Sequence, residues 1–241
     1  MRIESDHASC AGLDEEIGGL AGDKTSGIPL KALHVVHWPT SGITSFLLNL
    51  LKQSSGSFIR SSVVFFNHDA EEAEAFRQVC DSVHCLNFDR NPLKALWTYF
   101  RIIRRLKPDI IHTHSFQPGF WARIFSCGTG AAIVSTVHSP YPYLKEVGMR
   151  DALKRSLEIF GMNLRNRRVV CVSEEVRRHL LEHTGVRREL LEVIRNGIIL
   201  QKANSSELAR AREEVAANGE TKVIMTAGRL SDEKGLDVLL S

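Results

Sequence analysis

The sequence predicts an α/β protein with a Rossmann-like parallel sheet and helices on both faces. Three observations lead to that class. Short apolar runs recur between polar residues, segments of helical periodicity separate them, and 43% of the 241 residues are hydrophobic, which is enough for a packed core. Strands and helices that alternate at these lengths build a parallel sheet covered on both sides.

The first element is a buried strand at residues 32–37, where an apolar run stands between polar residues. Residues 1–29 are polar, contain glycine and lack periodicity, so we expect a disordered leader. Pro92 and Ser173 mark two helix starts, as a first-turn proline and an N-cap. The other strands are predicted at 61–66, 83–86, 109–112, 132–137, 168–172 and 191–194, and the helices at 43–52, 71–80, 93–106, 119–125, 149–166 and 174–183.

The pattern changes after Asn196-Gly197. A charged helix is predicted at 204–217 and an apolar strand at 222–227, followed by a glycine turn and another helix. We therefore expect two domains. Residues 30–198 form the first Rossmann-like domain, and residues 199–241 form a linker helix and the first strand, turn and helix of a second, truncated one.

Composition limits the function classes. The net charge of +3 is mildly basic, and the five cysteines are odd in number and lack metal-ligand spacing. Cys127 and Cys171 lie in apolar surroundings and are expected in the core. No run approaches the roughly 18 apolar residues of a membrane span, and the N-terminus has no signal-peptide core. We expect a cytoplasmic protein. Aromatic residues suited to base stacking do not accompany the basic groups, which argues against nucleic acid as a partner.

Candidate ligand-binding residues follow the strands, because the carboxyl ends of strands in an open α/β sheet face the ligand crevice. Gly42 opens a helix after the first strand, where backbone amides can approach a phosphate or a sugar. His114 and Ser115 follow the fourth strand and can line the crevice. His138 follows the fifth and can bond a substrate hydroxyl or carry a proton. Structural alternatives stay open: a plain strand-to-helix turn at Gly42 and a loop cap at His138.

His112-Thr113-His114 also has the spacing of a metal-binding pair, since alternate strand residues point the same way. No third histidine or carboxylate cluster has a matching spacing in the sequence, so we expect no metal. His112 is instead expected to be held by local hydrogen bonds.

The turn from Gly228 to Gly235 joins the predicted strand at 222–227 to a helix N-terminus. Arg229 and Lys234 in this turn can neutralise a diphosphate, both when it is bound and when it departs. The alternative is a solvated loop in which neighbouring acidic residues pair with the cations.

Together and in this order, these elements resemble the N-terminal part of the GT-B retaining glycosyltransferases of family four (group 1). The resemblance covers roughly residues 32–241. It is carried by Lys107–Ser115 (KPDIIHTHS), Thr136–His138, Val170–Glu174, Val193–Ile198 and, most specifically, Gly228–Leu236 (GRLSDEKGL).

The resemblance implies transfer of a sugar from a nucleotide-diphosphate sugar to a saccharide or lipid-linked saccharide acceptor. Position by position, it implies that Arg229 and Lys234 hold the donor diphosphate and that Gly42 lies against it. It further implies that His138, the catalytic candidate, contacts the sugar near the reacting carbon. No metal or other cofactor is implied, because the two cations neutralise the diphosphate.

Asn196 and Gly197 belong to one of the matched segments and are further candidates for lining the cleft. The chain departs from the family pattern in three places. The first loop has a single glycine, Gly42, where two adjacent ones are usual; Ile199 stands where Asp is common; and the family's acidic pair would lie beyond Ser241. We therefore expect an incomplete fragment with little activity of its own.

Two other functions stay open: a nucleotide-sugar epimerase of the same fold and a non-catalytic acceptor-binding domain. Basic groups at 101–107 and 150–168 also suggest peripheral contact with the inner face of a membrane, with solvated helix faces as the alternative. In the first of these groups, the basic residues flank a predicted apolar helix face made of Leu93, Leu96, Phe100, Ile103 and Leu106.

Overall fold

The computed structural model describes residues 29–38, 42–54, 58–67, 70–114, 116–139, 149–197, 204–214, 226 and 236–240. The chain divides into two compact units, Met1–Ile198 and Ile199–Ser241. The predicted leader lies outside the described residues up to residue 28. The predicted strand at 222–227, apart from Thr226, and the turn that follows it also lie outside them.

Seven parallel strands form one sheet in the first unit, in the order β3-β2-β1-β4-β5-β6-β7. The chain runs outward from β1 to one edge and then returns to build the other half from β4. The strand order therefore reverses between β1 and β4, at the kind of switch point where open α/β sheets bind ligands. The strands are β1 (Leu30–Val36), β2 (Ile59–Phe65), β3 (Ser82–Cys85), β4 (Ile110–Thr113), β5 (Ala132–Val137), β6 (Asn166–Cys171) and β7 (Leu191–Val193).

Helices follow the strands, as predicted. Asn91 caps one helix by accepting from the Lys94 amide, and Ser173 caps another by accepting from the Val176 amide, which confirms that predicted N-cap. The second unit contains α7 (Ser205–Glu214) and α8 (Leu236–Leu240). The helices of the first unit are α1 (Gly42–Ser54), α2 (Ala70–Arg77), α3 (Pro92–Leu106), α4 (Phe116–Phe125), α5 (Met149–Arg165) and α6 (Glu174–His183).

Strand alternation divides the core between the two faces of the sheet. On one face, Leu33 and Ile111 pack with Tyr99 of α3 and with side chains of α4. On the other, Val36 and Phe65 pack with side chains of α1 and α2. Helices cover both faces, so the predicted fold class is confirmed.

A buried ion pair crosslinks the helical layer on the α4 side. Arg123 Nη1 of α4 lies 2.7 Å from Glu158 Oε1 of α5, and both side chains are almost completely buried. Arg123 also donates to Asn166 Oδ1 at 2.8 Å and to Ser135 Oγ at 3.0 Å. Ser135 accepts a further bond from Asn166, and its hydroxyl lies 2.7 Å from that of Thr113. We call these five residues the Arg123 network.

The ionic state of this network depends on two opposed effects. Burial raises the pKa of Glu158, while the charge and hydrogen bond of Arg123 lower it. At a separation of 2.7 Å and with both groups out of solvent, the paired ionic form satisfies the buried guanidinium. The network thereby joins α4, α5, β4, β5 and β6.

One expectation about burial is wrong. Cys127 is exposed just after the end of α4, whereas Cys171 is buried as predicted. On the apolar face predicted for α3, Leu93 is 82% exposed, and the buried residues of this helix are Ala95, Tyr99, Ile102 and Ile103. Among the described helices, none combines the length and the apolar composition needed to cross a bilayer.

Candidate functional site

The switch point of the sheet brings histidines from three strands together. His34 of β1 is the register partner of His112 of β4. His114 lies two residues further on and so points to the same face as His112, while His138 directly follows β5. This is the face that α1 covers, because Phe46 of α1 packs edge-on against the His138 ring.

The imidazole rings are close neighbours. The ring centroids of His112 and His114 are 4.1 Å apart, and those of His34 lie 5.3 Å and 5.9 Å from them. The rings of His114 and His138 are 5.6 Å apart. We call His34, His112 and His114 the histidine cluster.

Two hydrogen bonds orient these rings. His112 Nε2 lies 2.7 Å from Thr136 Oγ1, and His114 Nδ1 lies 3.3 Å from His138 Nε2, with donor and acceptor set by the tautomers. Two other buried nitrogens, His34 Nδ1 and His114 Nε2, have no hydrogen-bond partner among the described residues. Burying polar nitrogens in this way costs free energy, so they call for an explanation.

Burial keeps the whole group uncharged. It lowers the pKa of His34 to about 4 and, together with the nearby His34 and His138, lowers that of His112 to about 3. Burial and its histidine neighbours hold the pKa of His114 well below its usual range. Burial lowers the pKa of His138 to about 4. A neutral His138 can exchange hydrogen bonds with a sugar hydroxyl near pH 7, but it is poorly matched to carrying a proton there.

The start of α1 lies on the same face. Gly42 is the first residue of the helix and is exposed, and a Cβ added there would meet nothing within 4 Å. The free amides of a helix N-terminus carry partial positive charge, which favours an anionic ligand. Phe46, one turn further along, lies 5.9 Å from His138 between ring centroids.

Two of the remaining predicted site residues lie away from the histidines. Asn196 and Gly197 are exposed after β7, at the edge of the sheet and three strands from β4. Ser115, Arg229 and Lys234 lie outside the described residues. His114 is only 2% exposed, so it lies beneath His138 and bonds to it.

A third histidine, His34, joins His112 and His114 in the structure, although no spacing in the sequence connects it with them. His112 bonds to Thr136 on the next strand, so its hydrogen bond is not local in the sequence. In the sequence, His34 lies within a predicted strand, as His112 does. However, its proximity depends on β1 pairing with β4, which spacing along the chain does not reveal.

Two grooves lie elsewhere in the first unit. Both include Ser82 at the amino end of β3, and one of them also includes Lys31 near the amino end of β1. They lie at the opposite end of the strands from His138. Since parallel α/β sheets bind ligands at the carboxyl ends, we place the candidate site at the histidines.

Comparison with known proteins identifies the family. The model of Glycosyltransferase Family 4 matches residues 40–202, more than half of the chain. The chain belongs to this family. The matched range includes both the histidines at 112, 114 and 138 and the start of α1.

A curated relative from Escherichia coli is named UDP-Gal:alpha-D-GlcNAc-diphosphoundecaprenol alpha-1,3-galactosyltransferase. It is 27% identical to the chain over 147 residues, which are 59% of the chain and 37% of the relative. The chain therefore spans little more than a third of the length of this relative.

Solved structures confirm the fold. A glycosyltransferase from Rickettsia africae superposes with a TM-score of 0.68 at 20% identity, covering 88% of the chain and 56% of that structure. HepE of Anabaena in complex with UDP-glucose superposes with a TM-score of 0.62 at 17% identity, covering 78% of the chain and 50% of that structure. In both cases the chain corresponds to about half of the solved protein.

Proposed function

We propose that the chain is the acceptor-side part of a retaining glycosyltransferase. The whole enzyme would move a sugar from a nucleotide-diphosphate sugar to a saccharide or lipid-linked saccharide acceptor, in polysaccharide or glycoconjugate biosynthesis. Membership of glycosyltransferase family 4 supports the reaction class. Two similar proteins support the substrate classes: the Escherichia coli UDP-Gal:alpha-D-GlcNAc-diphosphoundecaprenol galactosyltransferase, and HepE of Anabaena in complex with UDP-glucose.

The observation that carries the proposal is the placement of His138. It follows β5 beside the β1–β4 switch point, packs against α1 and bonds to the buried His114. A ring fixed in this way can orient a sugar hydroxyl near the reacting carbon, and such positioning lowers the barrier. Because its pKa is held near 4, His138 would act as a neutral hydrogen-bonding group.

The donor diphosphate is assigned to other groups. Arg229 and Lys234 would neutralise its charge in the bound state and as it leaves, with no metal ion on the phosphates. The α1 N-terminus at Gly42 would add partial positive charge from the first domain. Ser115, Asn196 and Gly197 would contribute to lining the cleft.

Location follows from the acceptor. A lipid-linked acceptor requires the enzyme to work at a membrane surface, so we propose a cytoplasmic protein in peripheral contact with the inner face. The exposed Leu93 and Trp97 on α3, close to Arg101 and Arg104, support this arrangement. Transfer itself would require the second domain, of which residues 199–241 form the beginning.

The test uses a protein that contains this chain together with a complete second domain. It is incubated with a panel of nucleotide sugars and saccharide or lipid-linked acceptors, and release of nucleoside diphosphate is measured. We expect Lys234→Ala to abolish turnover and His138→Ala to lower kcat by at least about 100-fold, within the range of positioned hydrogen-bonding groups. Arg178→Ala, which removes an exposed cation from α6, is the matched control and should have no effect.

Product analysis separates the alternatives. Acceptor-dependent release of nucleoside diphosphate and an unchanged anomeric configuration by NMR would support a retaining transferase. Interconversion of the nucleotide sugar without an acceptor would instead identify an epimerase. Full activity of both His138→Ala and Lys234→Ala would contradict the assigned site.

A further inference from the structure

The histidine cluster has buried nitrogens that the proposed transfer reaction does not use. His34 and His114 are 6% and 2% exposed, and each has one ring nitrogen without a hydrogen-bond partner among the described residues. A fold that only had to fill this space could do so with apolar side chains, at lower cost. The arrangement therefore suggests a ligand for the nitrogens.

We propose that His34, His112 and His114 bind a divalent transition-metal cation of the Zn²⁺ class. Each residue offers one ring nitrogen, and the three nitrogens all lie within 4.8 Å of one another. Tetrahedral Zn²⁺ with Zn–N distances near 2.0–2.1 Å places its ligand nitrogens about 3.3 Å apart. Side-chain rotations that move each nitrogen inward by about an ångström would close the site.

The other nitrogens of two rings are already held as metal ligands require. A metal-binding imidazole usually bonds through its second nitrogen to a neighbouring group, which fixes the ring and its tautomer. His112 uses Nε2 for Thr136, and His114 uses Nδ1 for His138. The opposite nitrogen of each ring is thus left for the cation, and in His114 this nitrogen is the unpartnered Nε2.

The donor set selects the kind of cation. Among the described residues, the group consists of imidazoles alone, without a carboxylate or thiolate. Imidazole suits Zn²⁺, Co²⁺, Ni²⁺ and Cu²⁺, whereas Mg²⁺ and Ca²⁺ prefer oxygen. Three protein ligands leave a fourth position for water.

This site is independent of the proposed function. It places no metal on the donor diphosphate, and binding can be measured on the 241-residue chain without any transfer reaction. Its effect on the candidate active site would be indirect. A cation on His114 would fix the ring that bonds to His138.

The experiment measures Zn²⁺ binding to the untagged chain after removal of metal with a chelator. Titration against a chromogenic competitor should show one equivalent bound per chain, and Co²⁺ should give the visible absorption of a tetrahedral site. His34→Gln and His114→Gln should each weaken binding by at least about 100-fold. Thr136→Val, which removes an orienting partner, should weaken it by about 10-fold.

A surface pair provides the matched control. His179 and His183 lie one turn apart on α6, with ring centroids 4.6 Å apart, and could hold an adventitious cation. His183→Gln should leave the high-affinity equivalent unchanged. The proposal is overturned if the wild-type chain binds no stoichiometric Zn²⁺, or if binding is lost in His183→Gln and kept in His34→Gln.

Folding of the variants is checked by circular dichroism. If the glutamine variants do not fold, X-ray absorption of the Zn²⁺-loaded wild-type chain decides the question. Three imidazole ligands would support the site, and fewer than three would contradict it.

Discussion

Two polar clusters lie back to back on the same strands. β4 contributes Thr113 to the Arg123 network and His112 to the histidine cluster, while β5 contributes Ser135 to the former and uses Thr136 to bond the latter. Strand alternation alone sends neighbouring residues to opposite faces. The two clusters nevertheless differ in charge, because the Arg123 network contains an ion pair and the histidine cluster is neutral.

Most polar atoms of the Arg123 network contact one another, although Glu158 Oε2 is buried without a hydrogen-bond partner among the described residues and Arg123 Nη1 meets Glu158 only as an ion pair. Ser135 accepts from Arg123 and Asn166, which occupies both lone pairs of its hydroxyl oxygen and leaves its proton for Thr113. The histidine cluster is uncharged and keeps unpartnered nitrogens. The comparison teaches that the buried polar groups on one face of this sheet are charged and compensate each other, whereas those on the other face are neutral and include ring nitrogens available to a ligand. Four predictions test it, beginning with the largest effect.

The first prediction concerns Arg123, whose positive charge balances the carboxylate of Glu158. Arg123→Met leaves a carboxyl that is 1% exposed without its partner, and we expect a loss of about 3–5 kcal/mol in the free energy of unfolding. Urea denaturation at pH 7 measures it. Adding Glu158→Leu should restore most of the stability, because both buried polar groups are then gone. A loss below about 1 kcal/mol in the single variant would show that the network does not hold the helices.

The second prediction concerns acid. The folded pKa of His34, about 4, is below the ordinary value of 6.5, so the unfolded chain binds more protons between these pH values and stability falls as the pH falls. For His34 alone the loss approaches about 3 kcal/mol below pH 4. Denaturation at pH 7 and pH 4.5 in the presence of a chelator measures it. His34→Leu should lose less stability over this interval than the wild-type chain, and an equal loss would contradict the neutral, buried state.

The third prediction compares a Thr→Val substitution on one face of the sheet with the same substitution on the other. Thr113→Val should cost about 0.5–1.5 kcal/mol, because Ser135 keeps its bonds to Arg123 and Asn166. Thr136→Val should cost about 1–3 kcal/mol, because it leaves His112 Nε2 without its partner. Parallel urea titrations in chelator compare the two variants. Equal costs would contradict the expectation that His112 depends on Thr136 more than Ser135 depends on Thr113.

The fourth prediction concerns an exposed ion pair, for which we expect the smallest change in the free energy of unfolding. Arg60 and Asp81 form an ion pair at 2.9 Å whose side chains are 61% and 41% exposed. Arg60→Ala should change the free energy of unfolding by less than about 1 kcal/mol, and less again at high salt. The same urea titration checks it. A larger change would show that this exposed ion pair contributes to stability on the same scale as the two buried clusters.

Local pattern was sufficient to predict most of the fold. Apolar runs located each of the seven strands, and Ser173 was correctly placed as a cap, because these features depend on neighbours in the sequence. The His112 and His114 pair and the histidine after β5 were also visible as strand-end residues. The apolar face predicted on α3 is buried only in part, and Leu93 is exposed, because tertiary packing selects among the apolar positions of a helix.

The rest could not be predicted because it depends on which strands are neighbours. His34 meets His112, which is 78 residues away in the sequence, only because β1 pairs with β4. Arg123 reaches Glu158 only because α4 packs beside α5. An arginine on a helix normally lies at a solvent-exposed position, so no local feature of the sequence indicates that Arg123 is buried. Arg229 and Lys234 remain predictions, as does the placement of the donor diphosphate.

The pairing of β1 with β4 also bears on how the sheet assembles. Leu33 is aligned with Ile111 and His34 with His112, so apolar and imidazole side chains alternate together across the two strands. A slip of one residue would turn His34 toward the apolar side chains around Tyr99 and bring Leu33 to the polar face. An isolated imidazole in hydrocarbon is unfavourable, so misaligned intermediates are disfavoured during folding. The residues that stand ready for a ligand in the native state thus also help the chain to select its strand alignment.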